Sequence, residues 1–178
     1  MRTKVVDGSQ GGYGISSYSE TSNYNNSGVK MRTNSFYASL APTSALRQNA
    51  VLHDATSKLG VWGYLNAASG MSTPTETIAT GTLDVAFALS YQEAASYCST
   101  KYYNGGIASP SGAQSNWNRL KSKGDSGTAN SWLRSIGAST NNASAFGIDG
   151  GIGSAFLTSP CYVRPALWVK SDIIDNLP

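Results

Sequence analysis

Charged side chains are scarce in this chain. Asp, Glu, Lys and Arg together make up 13% of the 178 residues, about half the share that is usual in globular proteins. The net charge is +3, and the densest basic run is Arg119, Lys121 and Lys123. Nucleic-acid affinity rises with the number of phosphates neutralised, so charge spread this thinly argues against a nucleic-acid partner.

Long apolar runs are also missing. No stretch has the length and hydropathy of a membrane-spanning helix, which argues against a membrane span. Arg2 and Lys4 are not followed by the apolar core of a signal peptide. If the protein acts outside the cell, we expect a signal in a removed upstream region, an artificial start at Met1, or release on a phage particle.

Histidine and cysteine are the next scarcity, with one His and two Cys. This set cannot supply a zinc tetrad, and a hydrolase triad would rest on His53 alone, with no Gly-x-Ser-x-Gly elbow. Calcium is the one cofactor that the residue types of Asp125–Asn130 leave open, with too few carboxylates to predict it. For Cys98 and Cys161 two alternatives remain: a disulfide worth about 4 kcal/mol on the chain-entropy model, or two buried thiols.

Ser, Thr, Asn and Gly fill the place of the charges. A neutral surface of hydroxyl and amide groups is typical of secreted, cell-surface and virion proteins, which predicts an extracellular, cell-surface or virion location. The apolar share is 40%, enough for the core of one domain. The first residues are rich in Gly, Ser, Tyr and Asn, so we predict an irregular N-terminal arm over 1–28 and a single domain over 29–178.

Helical patterns come early and strand patterns late. The predicted helices are Asn34–Leu40 with Asn34 as cap, Thr43–Val51, one that opens at Ser90, and Ser111–Lys123. The predicted strands are Val61–Leu65, Asp84–Leu89, Ser131–Arg134, Ala143–Ile148, Ser154–Leu157 and Val163–Lys170. Without regular βαβ alternation, this order predicts an α+β domain with a mainly antiparallel sheet.

The strongest local pattern is Ser90-Tyr91-Gln92-Glu93. Its spacing is that of a capping box, in which the Ser90 hydroxyl accepts from the Glu93 N–H and the Glu93 carboxylate accepts from the Ser90 N–H. This assigns Glu93 a structural task at a helix start.

Two strands each carry one arginine near one tryptophan. Trp132 and Arg134 share a strand face, and so do Arg164 and Trp168. We predict that these four residues form a structural clamp, in which the pairs stack across the sheet by cation–π contact.

The order of three motifs carries a resemblance. Leu89-Ser90-Tyr91-Gln92-Glu93-Ala94, Trp132-Leu133-Arg134-Ser135 and Val163-Arg164-Pro165-Ala166-Leu167 resemble the motifs of a large uncharacterised bacterial and phage domain family, over about Gly28 to Asp172. The resemblance implies a place on surface proteins or in prophage regions. At fold level the closing layout also resembles C-type-lectin-like domains, which implies short helices packed on a twisted antiparallel sheet.

Aromatic and amide side chains near element ends are the candidates for ligand binding, since they contact partners without the desolvation cost of a charge. They are Tyr102, Tyr103, Asn104, Asn116, Asn118, Asn130, Asn141 and Asn142.

We therefore expect a non-catalytic recognition module that binds a protein or glycan on a cell surface. The first alternative is a phage tail, fibre or decoration subunit that binds copies or virion neighbours through the arm. The second is a glycan or cell-wall hydrolase.

Overall fold

The structure is a computed structural model that describes residues 3–5, 15–16, 18, 22–63, 68–79, 84–98, 101–102, 130–146, 151–170 and 172. The helices are α1 (Gly28–Ser39), α2 (Ala45–Asn49) and α3 (Tyr91–Cys98). The strands are β1 (Thr3–Val5), β2 (Ile15–Ser16), β3 (Val51–His53), β4 (Pro74–Ile78), β5 (Lys101–Tyr102), β6 (Ser131–Ile136), β7 (Asn142–Phe146), β8 (Gly151–Phe156), β9 (Cys161–Tyr162) and β10 (Ala166–Trp168). None of the helices in this described part is both long and apolar enough to cross a membrane.

The largest sheet in the described part has the strand order β2-β9-β6-β7-β8-β5, and two strand pairs, β1-β10 and β3-β4, stand apart from it. Its β5–β8 and β6–β9 pairings are parallel. The other strand pairings are antiparallel. The predicted α+β class with a mainly antiparallel sheet is therefore confirmed.

The described parts of the N-terminal segment pair with the rest of the domain, and an irregular arm over residues 1–28 as a whole stays a prediction. β1 pairs with β10 and β2 pairs with β9. Tyr18 and Tyr24 are buried, and the Tyr24 hydroxyl accepts the N–H of Ala88 at 3.1 Å. The Gly and Ser residues between these buried tyrosines give the segment a loop-like composition. Buried residues spaced this widely form no periodic pattern that the sequence would reveal.

Helix α1 begins earlier than its sequence pattern predicts. Ser27 is the N-cap, and its hydroxyl accepts the N–H of Lys30 at 3.1 Å. Asn34 lies inside the helix and instead exchanges two hydrogen bonds with Asp84, at 2.8 and 3.1 Å. Likewise Ser44, and not Thr43, caps α2. Several capping residues stand close together here, and only tertiary contacts select among them.

Two predicted strands are irregular in the structure. Val61 is followed by a turn in which Gly63 has a φ of 77°, and residues 64–65 lie outside the described part. Asp84–Leu89 makes a single bridge, from Phe87 to Ala166. Its residues from 85 onward are buried, so their apolar pattern reflects burial and not strand pairing. Strand β4 lies in a segment for which no strand was predicted, and the predicted helix Ser111–Lys123 lies outside the described residues.

Tyr18 tests whether the N-terminal segment is part of the core. Its ring contacts Trp132 edge to face at 5.1 Å. Tyr18→Ala should lower the free energy of unfolding by about 3–5 kcal/mol, because it leaves a cavity beside a fully buried ring. Urea denaturation measures this, with the exposed Met31→Ala as control, expected to change stability by less than about 0.5 kcal/mol. Equal stability of the two variants would contradict a place for Tyr18 in the core and would support a separate N-terminal arm.

Candidate functional site

A buried ion pair lies between the first turn of α3 and the middle of β6. Glu93 Oε2 accepts a hydrogen bond from Arg134 Nη1, and both side chains are fully buried. We call Glu93, Arg134 and the groups bonded to their side chains the Glu93–Arg134 centre. Sequence reasoning missed this pair because Glu93 already had a structural role at the helix start.

The carboxylate of Glu93 completes the capping box and does more. The Ser90 N–H donates to Glu93 Oε2 at 3.0 Å, and the Glu93 N–H donates to Ser90 Oγ at 3.0 Å. This confirms both predicted hydrogen bonds. The second carboxylate oxygen accepts from the N–H of Ser72 at 2.8 Å and from its hydroxyl. Trp168 Nε1 in turn donates to the Ser72 hydroxyl at 3.1 Å, which links β10 to the centre.

The guanidinium of Arg134 binds three backbone carbonyls besides Glu93. Nε donates to Lys58 O at 2.7 Å, Nη1 to Ala88 O at 2.8 Å and Nη2 to Gly70 O at 3.0 Å. Charge-assisted bonds of this kind are what make a fully buried cation tolerable. Arg134 therefore ties the carbonyls of Lys58, Gly70 and Ala88, all distant from it in sequence, to one strand.

Residues 58–63 and 68–72 are held from several sides, and we call these two described stretches the anchored loop. The Ser135 hydroxyl donates to Leu59 O, and Gln92 Nε2 donates to Val61 O at 2.8 Å. A Cβ at Gly70 would lie 1.8 Å from Gln92 Oε1, so only glycine allows this close approach. The sequence motifs around Glu93 and Arg134 thus position a loop.

A family model described as a domain of unknown function, DUF6273, matches residues 60–171. This range covers more than half of the chain. The chain belongs to the DUF6273 family. No curated protein and no solved structure matches the chain.

The DUF6273 match contains most of the centre but not all of it. Glu93, Arg134 and Gly70 lie within the matched residues, whereas Lys58 and the buried Tyr18 precede them. Residues before the match thus complete the core of the DUF6273 domain. The resemblance to an uncharacterised family is confirmed over 60–171, a shorter range than the predicted Gly28–Asp172.

The arginine clamp has a different construction from the predicted one. Strands β6 and β10 lie in different sheets, so the two Arg–Trp pairs cannot stack across one sheet. Arg134 pairs with Glu93, and its guanidinium lies 5.3 Å from the centre of the Phe87 ring. A buried guanidinium gains more from a carboxylate and carbonyls than from an aromatic face, which explains the difference.

The other clamp residues contact separate parts of the core. Trp132 packs on Tyr18, in a different hydrophobic cluster from Trp168. Arg164 precedes β10, and its Nε donates to the Ser131 hydroxyl at 2.6 Å. These contacts place the residues in the domain interior, and a structural clamp of all four stays a prediction.

The three predicted ligand-binding residues that the structure describes do not all lie together, and the rest of this set stays a prediction. Side chains outside the described part are those of Tyr102, Tyr103, Asn104, Asn116 and Asn118. Asn130 is exposed and precedes β6, whereas Asn141 and Asn142 lie beyond its far end, at the start of β7. A strand of this length spans about 20 Å, so Asn130 is separate from the other two.

Cys161 forms no disulfide in the described part of the chain. Cys161 is a free, buried thiol, and burial raises its pKa to about 12. The Cys98 side chain lies outside the described part. Of the two alternatives for this pair, the structure has the free thiol. Within the described ranges no three side chains of His, Cys, Asp or Glu meet as metal ligands would, and the expectation of no cofactor stays a prediction.

Both ring nitrogens of His53 are engaged by backbone. Nδ1 accepts the N–H of Ala55 at 3.0 Å, which leaves Nε2 to donate to Val85 O at 2.7 Å. This is the neutral tautomer. The ring also lies 4.3 Å from that of Phe87. Burial lowers the pKa of His53, so the imidazole serves as a structural link between segments.

Glu93→Gln should destabilise the protein by about 3–5 kcal/mol, because it leaves the buried Arg134 charge without a counter-charge. Urea denaturation followed by tryptophan fluorescence measures the loss. The matched control is Lys30→Met, which breaks the half-exposed Lys30–Asp84 ion pair and should cost about 0–1 kcal/mol.

A second arm of this test uses Arg134→Met. If the ion pair couples the two residues, the double variant with Glu93→Gln and Arg134→Met loses clearly less stability than the sum of the losses in the two single variants. Strict additivity, or a Glu93→Gln loss no larger than that of the control, would contradict a paired centre.

His53 should make stability depend on pH. Because its pKa is lowered by folding, the unfolded chain takes up the proton first as the pH falls. The free energy of unfolding is therefore highest above about pH 6.5 and decreases below it, by at most about 1.4 kcal/mol per pH unit until the folded-state pKa is passed. His53 is the only histidine. His53→Gln should therefore remove most of the pH dependence of the free energy of unfolding between about pH 5.5 and 7. An unchanged slope in that variant would assign the effect elsewhere.

Proposed function

We propose that this protein is a non-catalytic recognition module of a bacterial cell surface or phage particle. It binds a protein or glycan through exposed loops carried on a C-type-lectin-like fold. The proposal joins the neutral composition of the chain to the way its buried polar groups are used.

The observation that carries the proposal is the commitment of the Glu93–Arg134 centre to loop positioning. The centre fixes the anchored loop through the carbonyls of Lys58 and Gly70. A module that presents loops to a partner benefits from this order, because loops that are already fixed lose less conformational entropy on binding. The exposed turn at Asn141 presents amide and hydroxyl groups, which suit specific contacts without charge.

The hydrolase alternative finds less support. General acid–base catalysis needs a side chain whose lone pair or proton can reach a substrate. His53 uses both ring nitrogens on backbone groups, and Glu93 is fully buried against Arg134. These two groups, the most obvious acid–base candidates of the described chain, are occupied in structural contacts.

The assembly alternative also finds less support. It required an N-terminal arm that binds neighbouring subunits. β1 and β2 instead pair within the chain, and Tyr18 and Tyr24 are buried in its own core. The described part of the segment therefore already has its partner.

The test is binding of the fluorescently labelled full chain to a panel of bacterial cells, measured by flow cytometry. A combined Tyr103→Ala, Asn130→Ala and Asn141→Ala variant should bind at least about tenfold more weakly, as expected when contact residues are truncated. The exposed Asn26→Ala is the matched amide control and should bind like the unmodified chain.

Dye release from labelled peptidoglycan is measured on the same samples, and we expect none above the blank. Equal binding of cells by the loop variant and the unmodified chain would contradict recognition through these loops. Dye release by the unmodified chain would contradict the non-catalytic assignment.

A further inference from the structure

An exposed aromatic ring lies at the end of β8. Phe156 is 67% exposed, whereas most large apolar side chains of the described part are buried. In the β7–β8 register Phe156 pairs directly with Asn142. Directly paired residues of antiparallel strands share a sheet face, with Cβ atoms about 5 Å apart, so the ring and the amide lie side by side.

The turn beside this ring is held by hydrogen bonds. Asn142 Oδ1 accepts from the Ser139 hydroxyl at 2.7 Å, which fixes the orientation of its amide group. The Leu157 N–H donates to Asn141 O at 3.0 Å. Ser154, two residues before Phe156 and on the same face, accepts the N–H of Ala138 at 3.0 Å. We call Phe156, Asn141, Asn142 and Ser139 the Phe156 platform.

The two segments that carry the platform are uncharged. Neither 136–146 nor 151–160 contains an Asp, Glu, Lys or Arg. These segments therefore offer a charged ligand no complementary charge. The polar groups on offer are amides and hydroxyls, which bond to neutral hydroxyl and amide groups at little desolvation cost.

The ring does not share its sheet face with Ile136, the other exposed large apolar side chain that the structure describes on this sheet. Ile136, 43% exposed at the same end of the sheet, pairs with Ala143. Ala143 neighbours Asn142 along β7, so Ile136 belongs to the opposite face. A protein interface has an apolar core of several residues, whereas one ring bordered by amides matches a ligand with a single small apolar face.

We propose that the Phe156 platform binds a pyranose ring of a neutral glycan. The C–H face of the sugar lies on Phe156, and its hydroxyl groups bond to the amides of Asn141 and Asn142. This inference rests on the recognition function proposed above, and it adds both the place of binding and the chemical class of the ligand.

The direct test titrates the full chain against immobilised neutral oligosaccharides of glucose, galactose, mannose and N-acetylglucosamine. We expect binding to at least one of them. Phe156→Ala should weaken it by about tenfold or more, and Phe156→Trp should retain it. Met31→Ala, which truncates an equally exposed apolar side chain on α1, is the matched control and should leave binding unchanged. Since Phe156 is exposed, circular dichroism should show the same fold for all variants.

Two results would overturn the inference: no binding of the unmodified chain to any of these sugars, or equal binding by Phe156→Ala. A second measurement separates its failure from that of the proposed function. If the chain binds cells through Phe156 but still binds after periodate oxidation of their glycans, the ligand is a protein, and recognition stands while the glycan assignment falls. If the chain binds no cells at all, both fall.

Discussion

Removing the charge of Arg134 from water is costly, and the neighbouring structure compensates for it with one carboxylate and three carbonyls. These acceptors come from α3, from the segment before it and from both ends of the anchored loop. The charge is satisfied only when all of them are in place, because a missing acceptor leaves a buried donor unpaired. The centre therefore makes the helix, the strand and the loop depend on one another.

How far the sequence predicted the structure depends on the distance between interacting residues. Ser90 and Glu93 stand three positions apart, and both bonds of their capping box were predicted. Glu93 and Arg134 are separated by 41 positions, and no local pattern indicates that they meet. The α+β class followed from element order. By contrast, Asp84–Leu89 resembled a strand because burial on several sides gives the same apolar composition as pairing.

The candidate site was predictable in part. Asn141 and Asn142 were expected on a loop between two strands, and the structure has Asn141 in that turn and Asn142 at the start of β7. Phe156 was included in a strand without a face being assigned to it. Alternation alone does not predict its exposure, because Phe156 shares its strand face with Ile152, which is buried. The pairing of Phe156 with Asn142 depends on strand register, which the sequence alone does not fix.

The two described ends of the anchored loop are held by different elements. Val61 is bonded to Gln92 of α3 at one end, and Gly70 is bonded to Arg134 of β6 at the other. The ion pair between Glu93 and Arg134 joins this helix to this strand. The distance between the two ends of the loop is therefore set by the packing of α3 on β6, and a change in that packing would move one end relative to the other.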